Sequence, residues 1–180
     1  MQEPQSLSDV KHLIARFFGH VLAKPPTTDE ATIVNTFLSE RERILWWRQS
    51  VGDQRHALLA AHHVLSQIPE NRSAVRAALL HDLGKRHCRL GAIGRSLATV
   101  IGALGLPQRG RFQTYLDHGK LGAAELETLG AEPIVVDFAR LHTEGMPPGV
   151  DEALWSVLFA ADRTTKRPDR GVTGNTMSGS

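Results

Sequence analysis

The sequence predicts an all-α protein, and three observations support this fold class. Apolar residues recur at helical spacing in successive segments, as in Leu13, Phe17 and Val21. Helix-capping residues and helix-ending prolines lie at the ends of these segments. Apart from the brief run 134–136, which lies inside a segment with a helical pattern, no stretch shows the alternation of a half-buried strand.

The chain is long enough, at 180 residues, to bury a core as one main domain with appendages. We expect an N-terminal helical extension over residues 1–49, the main domain over 50–166 and a disordered tail over 167–180. The single cysteine, Cys88, excludes an intramolecular disulfide, and no apolar run reaches the roughly 18 residues that a membrane span requires. The first residues do not resemble a signal peptide, so we expect a cytoplasmic location.

The N-terminal extension is predicted to contain three helices. Residues 8–23 form an amphipathic pattern that a Pro-Pro pair ends. Thr27 and Glu30 have the spacing of a capping box, which opens a second helix. A short third helix carries Trp46 and Trp47, which we expect to serve packing, since large aromatic side chains mostly do so.

The main domain is predicted to contain six further helices, at residues 53–68, 73–82, 91–104, 115–129, 133–141 and 151–162. Ser73 is expected to cap the second of these helices, with His81 and Asp82 in its last turn. Gly84 is expected to end that helix through a positive φ, which would leave Lys85 beside whatever His81 and Asp82 hold.

Charge is segregated along the chain, although the net charge is only +2. Residues 85–120 carry 7 basic and 1 acidic residue, whereas residues 121–162 carry 1 basic and 8 acidic residues. The basic segment has only Phe112 and Tyr115 as aromatic residues, so it suits a small anionic ligand better than nucleic acid. The alternative is that its arginines form a solvated face.

Metal-capable side chains recur at helix ends or in apolar helices, at His56, His81, Asp82, His118, His142 and Asp162. A carboxylate that follows an apolar stretch, as Asp162 does, is costly to bury unless it is paired or bound to metal. His63 is an alternative ligand because it lies two turns after His56 on the same helix face. Imidazole and carboxylate ligands without thiolate favour a divalent transition metal, namely Mn²⁺, Fe²⁺, Co²⁺, Ni²⁺ or Zn²⁺.

The order of His56, the pair His81-Asp82 and Asp162 resembles the H...HD...D pattern of the HD-domain metal-dependent phosphohydrolases. The resemblance covers about residues 50–165 and includes the run Leu-His-Asp-Leu-Gly-Lys that ends at Lys85. It implies an HD-domain helical bundle behind the N-terminal helical extension. It also implies that these four residues bind metal and that Asp82 acts as a general base as well.

His118 and His142 resemble the additional histidines of HD subfamilies that hold two metals. Two similar groups are the HD-GYP phosphodiesterases of cyclic dinucleotides and the small bacterial hydrolases that split diadenosine tetraphosphate symmetrically. The Gly-Tyr-Pro signature is absent, with Gly-Met-Pro-Pro-Gly at 145–149 near its place, and the first 45 residues match neither group. One or two ions therefore fit the pattern.

The expected activity is metal-dependent hydrolysis of a phosphate ester or anhydride in a nucleotide or another small phosphorylated molecule. Asp82 and Lys85 are the expected catalytic residues. The expected phosphate-binding residues are Lys85, Arg86, Arg89, Arg95 and Lys120. Two alternatives remain, a dinucleoside polyphosphate hydrolase and a non-catalytic module that senses a nucleotide. Neither nucleic acid nor a membrane is an expected partner.

Overall fold

The computed structural model describes residues 23–88, 90 and 109–164 of the chain. This part contains eight α-helices, one 3₁₀ helix and no strand, which confirms the predicted all-α class. The α-helices are α1 (Thr28–Phe37), α2 (Glu40–Trp46), α3 (Val51–Gln67), α4 (Arg72–Leu80), α5 (Arg111–Leu116), α6 (His118–Thr128), α7 (Pro133–Leu141) and α8 (Glu152–Asp162). The 3₁₀ helix, Leu83–His87, follows α4.

Helix α4 lies at the centre of the fold. Six of its nine residues are fully buried, namely Ala74, Val75, Ala77, Ala78, Leu79 and Leu80. It packs against α3, α7 and α8, and its alanines let those helices approach closely. Because α4 is held on several sides, the residues at its C-terminal end are held rigidly as well.

The N-terminal helices begin as the capping pattern predicts. The Thr27 hydroxyl accepts from the backbone N–H of Glu30, and the Glu30 carboxylate accepts from that of Thr27. Ser39 and Glu42 form a second capping box at the start of α2. Each box satisfies two backbone donors that a helix start would otherwise leave without partners.

The two adjacent tryptophans of the extension have different surroundings. Trp46 is fully buried, and its Nε1 donates to the carbonyl oxygen of Leu79 in α4 at 3.1 Å. Trp47 is 43% exposed and packs edge-on against Trp46. The packing role predicted for this pair is therefore confirmed in full only for Trp46.

Two predicted helix starts are wrong by about two residues. Helix α3 begins at Val51, because Ser50 is the N-cap and Asp53 lies in the first turn, where its carboxylate accepts from the Ser50 hydroxyl at 2.7 Å. Asn71 caps α4 in place of Ser73, and its side chain accepts from a backbone N–H at 3.0 Å. Ser, Asn and Asp compete as caps, so sequence spacing alone does not choose among them.

The end of α4 also differs from the prediction. His81 is the C-cap, and Asp82 immediately precedes the 3₁₀ helix, so neither lies in the last turn. Gly84 does not have a positive φ, because the chain continues through the 3₁₀ helix. The glycine is required there by a close backbone contact with α6, which a side chain would block.

Further along the chain, the segment 115–129 is divided into α5 and α6, which meet at Asp117. The helices predicted over 133–141 and 151–162 are confirmed, with Asp151 as the N-cap of α8. The predicted helices at 8–23 and 91–104 and the predicted tail at 167–180 lie outside the described residues. Across the described helices, none combines the length and apolar character that crossing a membrane would demand.

Candidate metal centre

The fold brings six metal-capable side chains into one cluster. His56 comes from α3, and Asp162 is the last residue of α8. His81 and Asp82 follow α4, His118 begins α6, and His142 ends α7. They form three overlapping groups in which the ligand atoms lie within 4.8 Å of one another. The groups are His56–His81–Asp82, His81–His142–Asp162 and Asp82–His118–His142.

One side of the cluster is centred on the Asp162 carboxylate. Its Oδ1 lies 3.0 Å from Nε2 of His56 and 3.1 Å from Nε2 of His81. Oδ2 of Asp82 lies 3.4 Å from the same atom of His81 and 3.8 Å from that of His56. Ligands placed about 2.1 Å from a tetrahedral ion are separated by about 3.4 Å, so these spacings fit one cation.

The other side of the cluster is centred on the second oxygen of Asp82. Its Oδ1 lies 3.4 Å from Nε2 of His118 and 3.6 Å from Nε2 of His142. The two imidazole nitrogens are 3.4 Å apart. Asp82 thus directs one carboxylate oxygen to each side of the cluster, as a ligand shared by two metal positions would.

Three of the histidines are oriented by backbone carbonyl groups near helix ends. Nδ1 of His81 lies 2.9 Å from the carbonyl oxygen of Ala78, and Nδ1 of His118 lies 2.6 Å from that of Tyr115. Nδ1 of His142 lies 3.1 Å from the carbonyl oxygen of Ala139. A carbonyl oxygen can only accept, so Nδ1 carries the proton and Nε2 presents a lone pair to the cluster.

Burial and charge together set the protonation of the central pair. Burial opposes the charged form of both groups. Nevertheless, Lys85 and His81 hold the pKa of Asp82 well below its ordinary value, and the charges of Asp82 and Asp162 raise the pKa of His81. Asp82 is therefore ionised. The raised pKa means that His81 keeps a second proton to higher pH than an ordinary histidine, and a metal ion bound at Nε2 would displace that proton.

The pKa values of two other residues of the cluster, His142 and Asp162, are both lowered. Burial, together with the charge of His81, lowers the pKa of His142 to about 4, so this imidazole is neutral near pH 7. Burial would raise the pKa of Asp162, but the hydrogen bond with His56 and the charge of His81 lower it well below its ordinary value. A neutral imidazole and an ionised carboxylate are the forms that bind metal.

Two buried polar atoms of the cluster lack a hydrogen-bond partner among the described residues, and a bound cation would provide a partner for both. Nε2 of His81 and Oδ1 of Asp82 are buried, and neither has a hydrogen-bond partner within the described part of the chain. Nε2 of His81 is near Asp162, but without hydrogen-bond geometry. Buried polar atoms without partners are rare and costly. Together with the imidazole and carboxylate donors, they identify the cluster as a candidate metal site.

Lys85 lies at the edge of this cluster. Its Nζ is 2.5 Å from Oδ2 of Asp82, one turn earlier in the chain. Burial disfavours the ammonium form, but Asp82, followed by Tyr115 and Asp53, raises the pKa of Lys85. A fixed positive charge therefore accompanies the two carboxylates.

The other predicted phosphate-binding residues are placed less directly. Arg86 donates to the carbonyl oxygen of Leu83 and forms an ion pair with Glu125, so its guanidinium is engaged within the protein. Lys120 is exposed on the first turn of α6. Arg89 and Arg95 lie outside the described residues.

Two residues outside the six candidate ligands, His63 and Tyr115, are also relevant to the site. His63, the alternative ligand, belongs to none of the three groups formed by the described residues. Tyr115 was not predicted as a site residue, yet its ring stacks on His118 with centroids 5.6 Å apart, and its carbonyl oxygen orients the same imidazole. Its position three residues before His118 at a helix boundary was the only signal in the sequence.

Comparisons of the chain with models of protein families, with curated proteins and with solved structures found no match. The all-helical fold and the buried cluster of histidines and aspartates are compatible with an HD domain.

Proposed function

We propose that the protein is an HD-type metal-dependent phosphohydrolase, which hydrolyses a phosphate ester or anhydride of a nucleotide or another small phosphorylated molecule. The observation that carries this proposal is the ammonium group of Lys85, fixed 2.5 Å from the central carboxylate of a candidate metal site. A permanent cation beside a metal site suits a substrate that carries negative charge, as a phosphoryl group does. The resemblance of the H...HD...D order to the HD phosphohydrolases supports the same chemistry.

His56, His81, Asp82 and Asp162 would hold one ion, and Asp82, His118 and His142 would hold a second. Bound divalent ions would supply an activated water and neutralise charge on the phosphoryl group. The imidazole and carboxylate donors suit Mn²⁺, Fe²⁺, Co²⁺, Ni²⁺ or Zn²⁺.

The ionised Asp82 would orient the attacking water by accepting a hydrogen bond from it, since it remains a carboxylate at neutral pH. A further role as general base is what the HD resemblance implies. Lys85 would contact a phosphoryl oxygen and offset the charge that builds as the bond to the leaving group breaks. Tyr115 would keep His118 in place through the stacking contact and the carbonyl hydrogen bond.

Access to the site favours one direction of approach. The side chains of His56 and Asp162 are 24% and 19% exposed, whereas those of His81 and Asp82 are almost fully buried. Substrate would therefore approach from the side of α3 and α8, with Lys85 also partly exposed. The buried histidines would then lie farther from the entering substrate.

The test is a phosphate-release screen with defined metal content. Protein treated with a chelator is reloaded separately with Mn²⁺, Fe²⁺, Co²⁺, Ni²⁺ or Zn²⁺ and assayed on nucleotides, sugar phosphates and dinucleoside polyphosphates. We expect turnover that depends on the metal and is lost in Asp82→Ala. His63→Ala, on the same helix as His56 but outside the three groups, is the matched control and should keep its activity.

The pattern of substrates distinguishes the alternatives. Turnover of dinucleoside polyphosphates alone would narrow the activity to that class. Nucleotide binding without turnover by any reloaded form would instead identify a sensing module and contradict the proposal.

A further inference from the structure

The second side of the cluster is assembled where α6 crosses the 3₁₀ helix and α7. Asp82 precedes the 3₁₀ helix, His118 is the first residue of α6, and His142 is the C-cap of α7. The separations of these side chains therefore depend on how closely three backbone segments approach one another. At both crossings a glycine lies in close contact with the backbone of the other segment.

Gly84 makes the closer of the two contacts. A Cβ atom on Gly84 would lie 1.9 Å from the carbonyl oxygen of His118 and 2.7 Å from the backbone nitrogen of Gly122. Both atoms belong to backbone, so no side-chain rotation can relieve the overlap. The contact is also reciprocal, because a Cβ on Gly122 would lie 3.0 Å from the backbone nitrogen of Gly84.

Gly119 makes the contact with α7. A Cβ atom on this residue would lie 2.9 Å from the carbonyl oxygens of Ala139 and Arg140, just before His142. Gly119 directly follows His118, and Gly84 contacts the carbonyl oxygen of His118, so both crossings lie next to this histidine. One crossing sets its distance from Asp82, and the other sets its distance from His142.

Backbone conformation does not explain these glycines. Gly84 and Gly119 do not have positive φ, and Gly119 and Gly122 lie inside α6, where alanine would favour the helix more. What the glycines provide is the absence of a side chain at a close contact. That contact brings Nε2 of His118 within 3.4 Å of both Oδ1 of Asp82 and Nε2 of His142.

We infer that Gly84 and Gly119 are positioning residues that set the second metal position, formed by Asp82, His118 and His142. This inference rests on the metal centre of the proposed function and concerns how its second position is built. A methyl group at Gly84 forces α6 away from the 3₁₀ helix by roughly 1 Å, a displacement large enough to disrupt a preorganised site. His56, His81 and Asp162 come from α3, the end of α4 and α8, which take part in neither glycine contact, so these ligands of the first ion stay in place.

The experiment is a titration of metal-free protein with Zn²⁺ against a competing chelator, which measures the number and the affinity of bound ions without any substrate. Wild type is expected to bind two equivalents. Gly84→Ala and Gly119→Ala are expected to bind the first equivalent with unchanged affinity and the second at least about tenfold more weakly, as losses of supporting contacts usually do. Gly119→Ala has the smaller overlap, so it tests the inference even where Gly84→Ala folds poorly.

Gly130→Ala is the matched control. Gly130 ends the same helix with a φ of 71°, and a Cβ there would meet none of the described atoms within 4 Å. This variant is strained in its backbone but leaves both crossings intact, so it should bind both equivalents with the affinities of wild type.

Three results would overturn the inference. In the first, both Gly84→Ala and Gly119→Ala retain the second affinity. In the second, Gly130→Ala loses the second affinity equally, so that general destabilisation explains the effect. In the third, wild type binds a single equivalent, which would remove the second position but leave a one-metal phosphohydrolase standing. Wild type that binds no metal would overturn the proposed function itself.

Discussion

The Lys85 ammonium and the Asp82 carboxylate are joined by a 2.5 Å contact at the edge of the candidate metal site. The two residues are three apart, so the 3₁₀ turn itself brings them together. This contact stabilises the charged form of both groups against burial, since it lowers the pKa of Asp82 and raises that of Lys85. The site therefore keeps a fixed carboxylate and a fixed ammonium at neutral pH.

Lys85→Ala is expected to leave metal content unchanged and to lower kcat/KM by about tenfold or more, because in the proposed reaction the ammonium would contact the phosphoryl group and would not bind metal. Metal analysis and steady-state kinetics on the same preparation would measure both effects. Lys24→Ala removes an exposed lysine as a control. Kinetics indistinguishable from wild type would make Lys85 a purely structural partner of Asp82.

His142→Ala is expected to reduce the bound metal from about two ions towards one and to abolish most turnover, since the second side of the cluster would lose one of its imidazoles. His118→Ala should behave in the same way. Metal titration against activity would measure the stoichiometry. An optimum at one equivalent in wild type, with both variants still binding that equivalent, would indicate a mononuclear site whose histidines contact substrate instead.

Glu30→Gln is expected to lower the free energy of unfolding by about 1–3 kcal/mol, because it breaks a contact that ties α1 to α3. The Glu30 carboxylate is almost fully buried and lies 2.5 Å from the Arg55 guanidinium. Urea denaturation would measure the change. Glu132→Gln removes a half-exposed partner of Arg76 and, as a surface control, should cost less than about 1 kcal/mol.

The stabilisation by Glu30 is expected to depend on pH. Burial opposes its charge, but the Thr27 amide and Arg55 lower its pKa below the ordinary 4.5. A carboxyl group whose pKa is lower in the folded state stabilises the fold above the pKa of the unfolded state and loses this contribution as pH falls through the folded value. The difference between wild type and Glu30→Gln should thus be full at pH 7 and shrink below about pH 4.5. A difference that stays constant down to pH 3 would contradict this assignment.

Trp46→Phe is expected to destabilise the protein by about 1–3 kcal/mol, since it leaves the buried Leu79 carbonyl without its side-chain donor. Trp47→Phe is the matched control, because its ring is 43% exposed, and it should change stability by no more than about 0.5 kcal/mol. Chemical denaturation of both variants would measure the difference. Equal losses would indicate that the indole hydrogen bond does not anchor α2.

The fold class and the ligand-capable residues could be predicted because both leave local signals in the sequence. Helical spacing and capping residues predicted α7 and α8 nearly to the residue, and the capping box predicted the start of α1. The six candidate ligands lie at helix ends or within an apolar helix, and the structure brings all six together.

The features of the site that could not be predicted from the sequence depend on contacts between distant segments. Arg86 pairs with Glu125, 39 residues away, so its basic charge alone did not indicate its partner. The sequence predicts that Gly84 ends α4 through a positive φ, whereas in the structure Gly84 lies against the backbone of α6. The approach of His81 to one Asp82 oxygen and of His118 to the other likewise depends on how separate helices pack.

The central claim is that the buried cluster of histidines and aspartates binds divalent metal. Its most direct test is the metal content of purified wild type, His81→Ala, Asp82→Ala and His63→Ala, measured by elemental analysis. We expect near-stoichiometric transition metal in wild type and in His63→Ala, and its loss from the other two variants, because His81 and Asp82 supply the orphaned atoms at the centre of the cluster. Full metal content in both His81→Ala and Asp82→Ala would contradict the account.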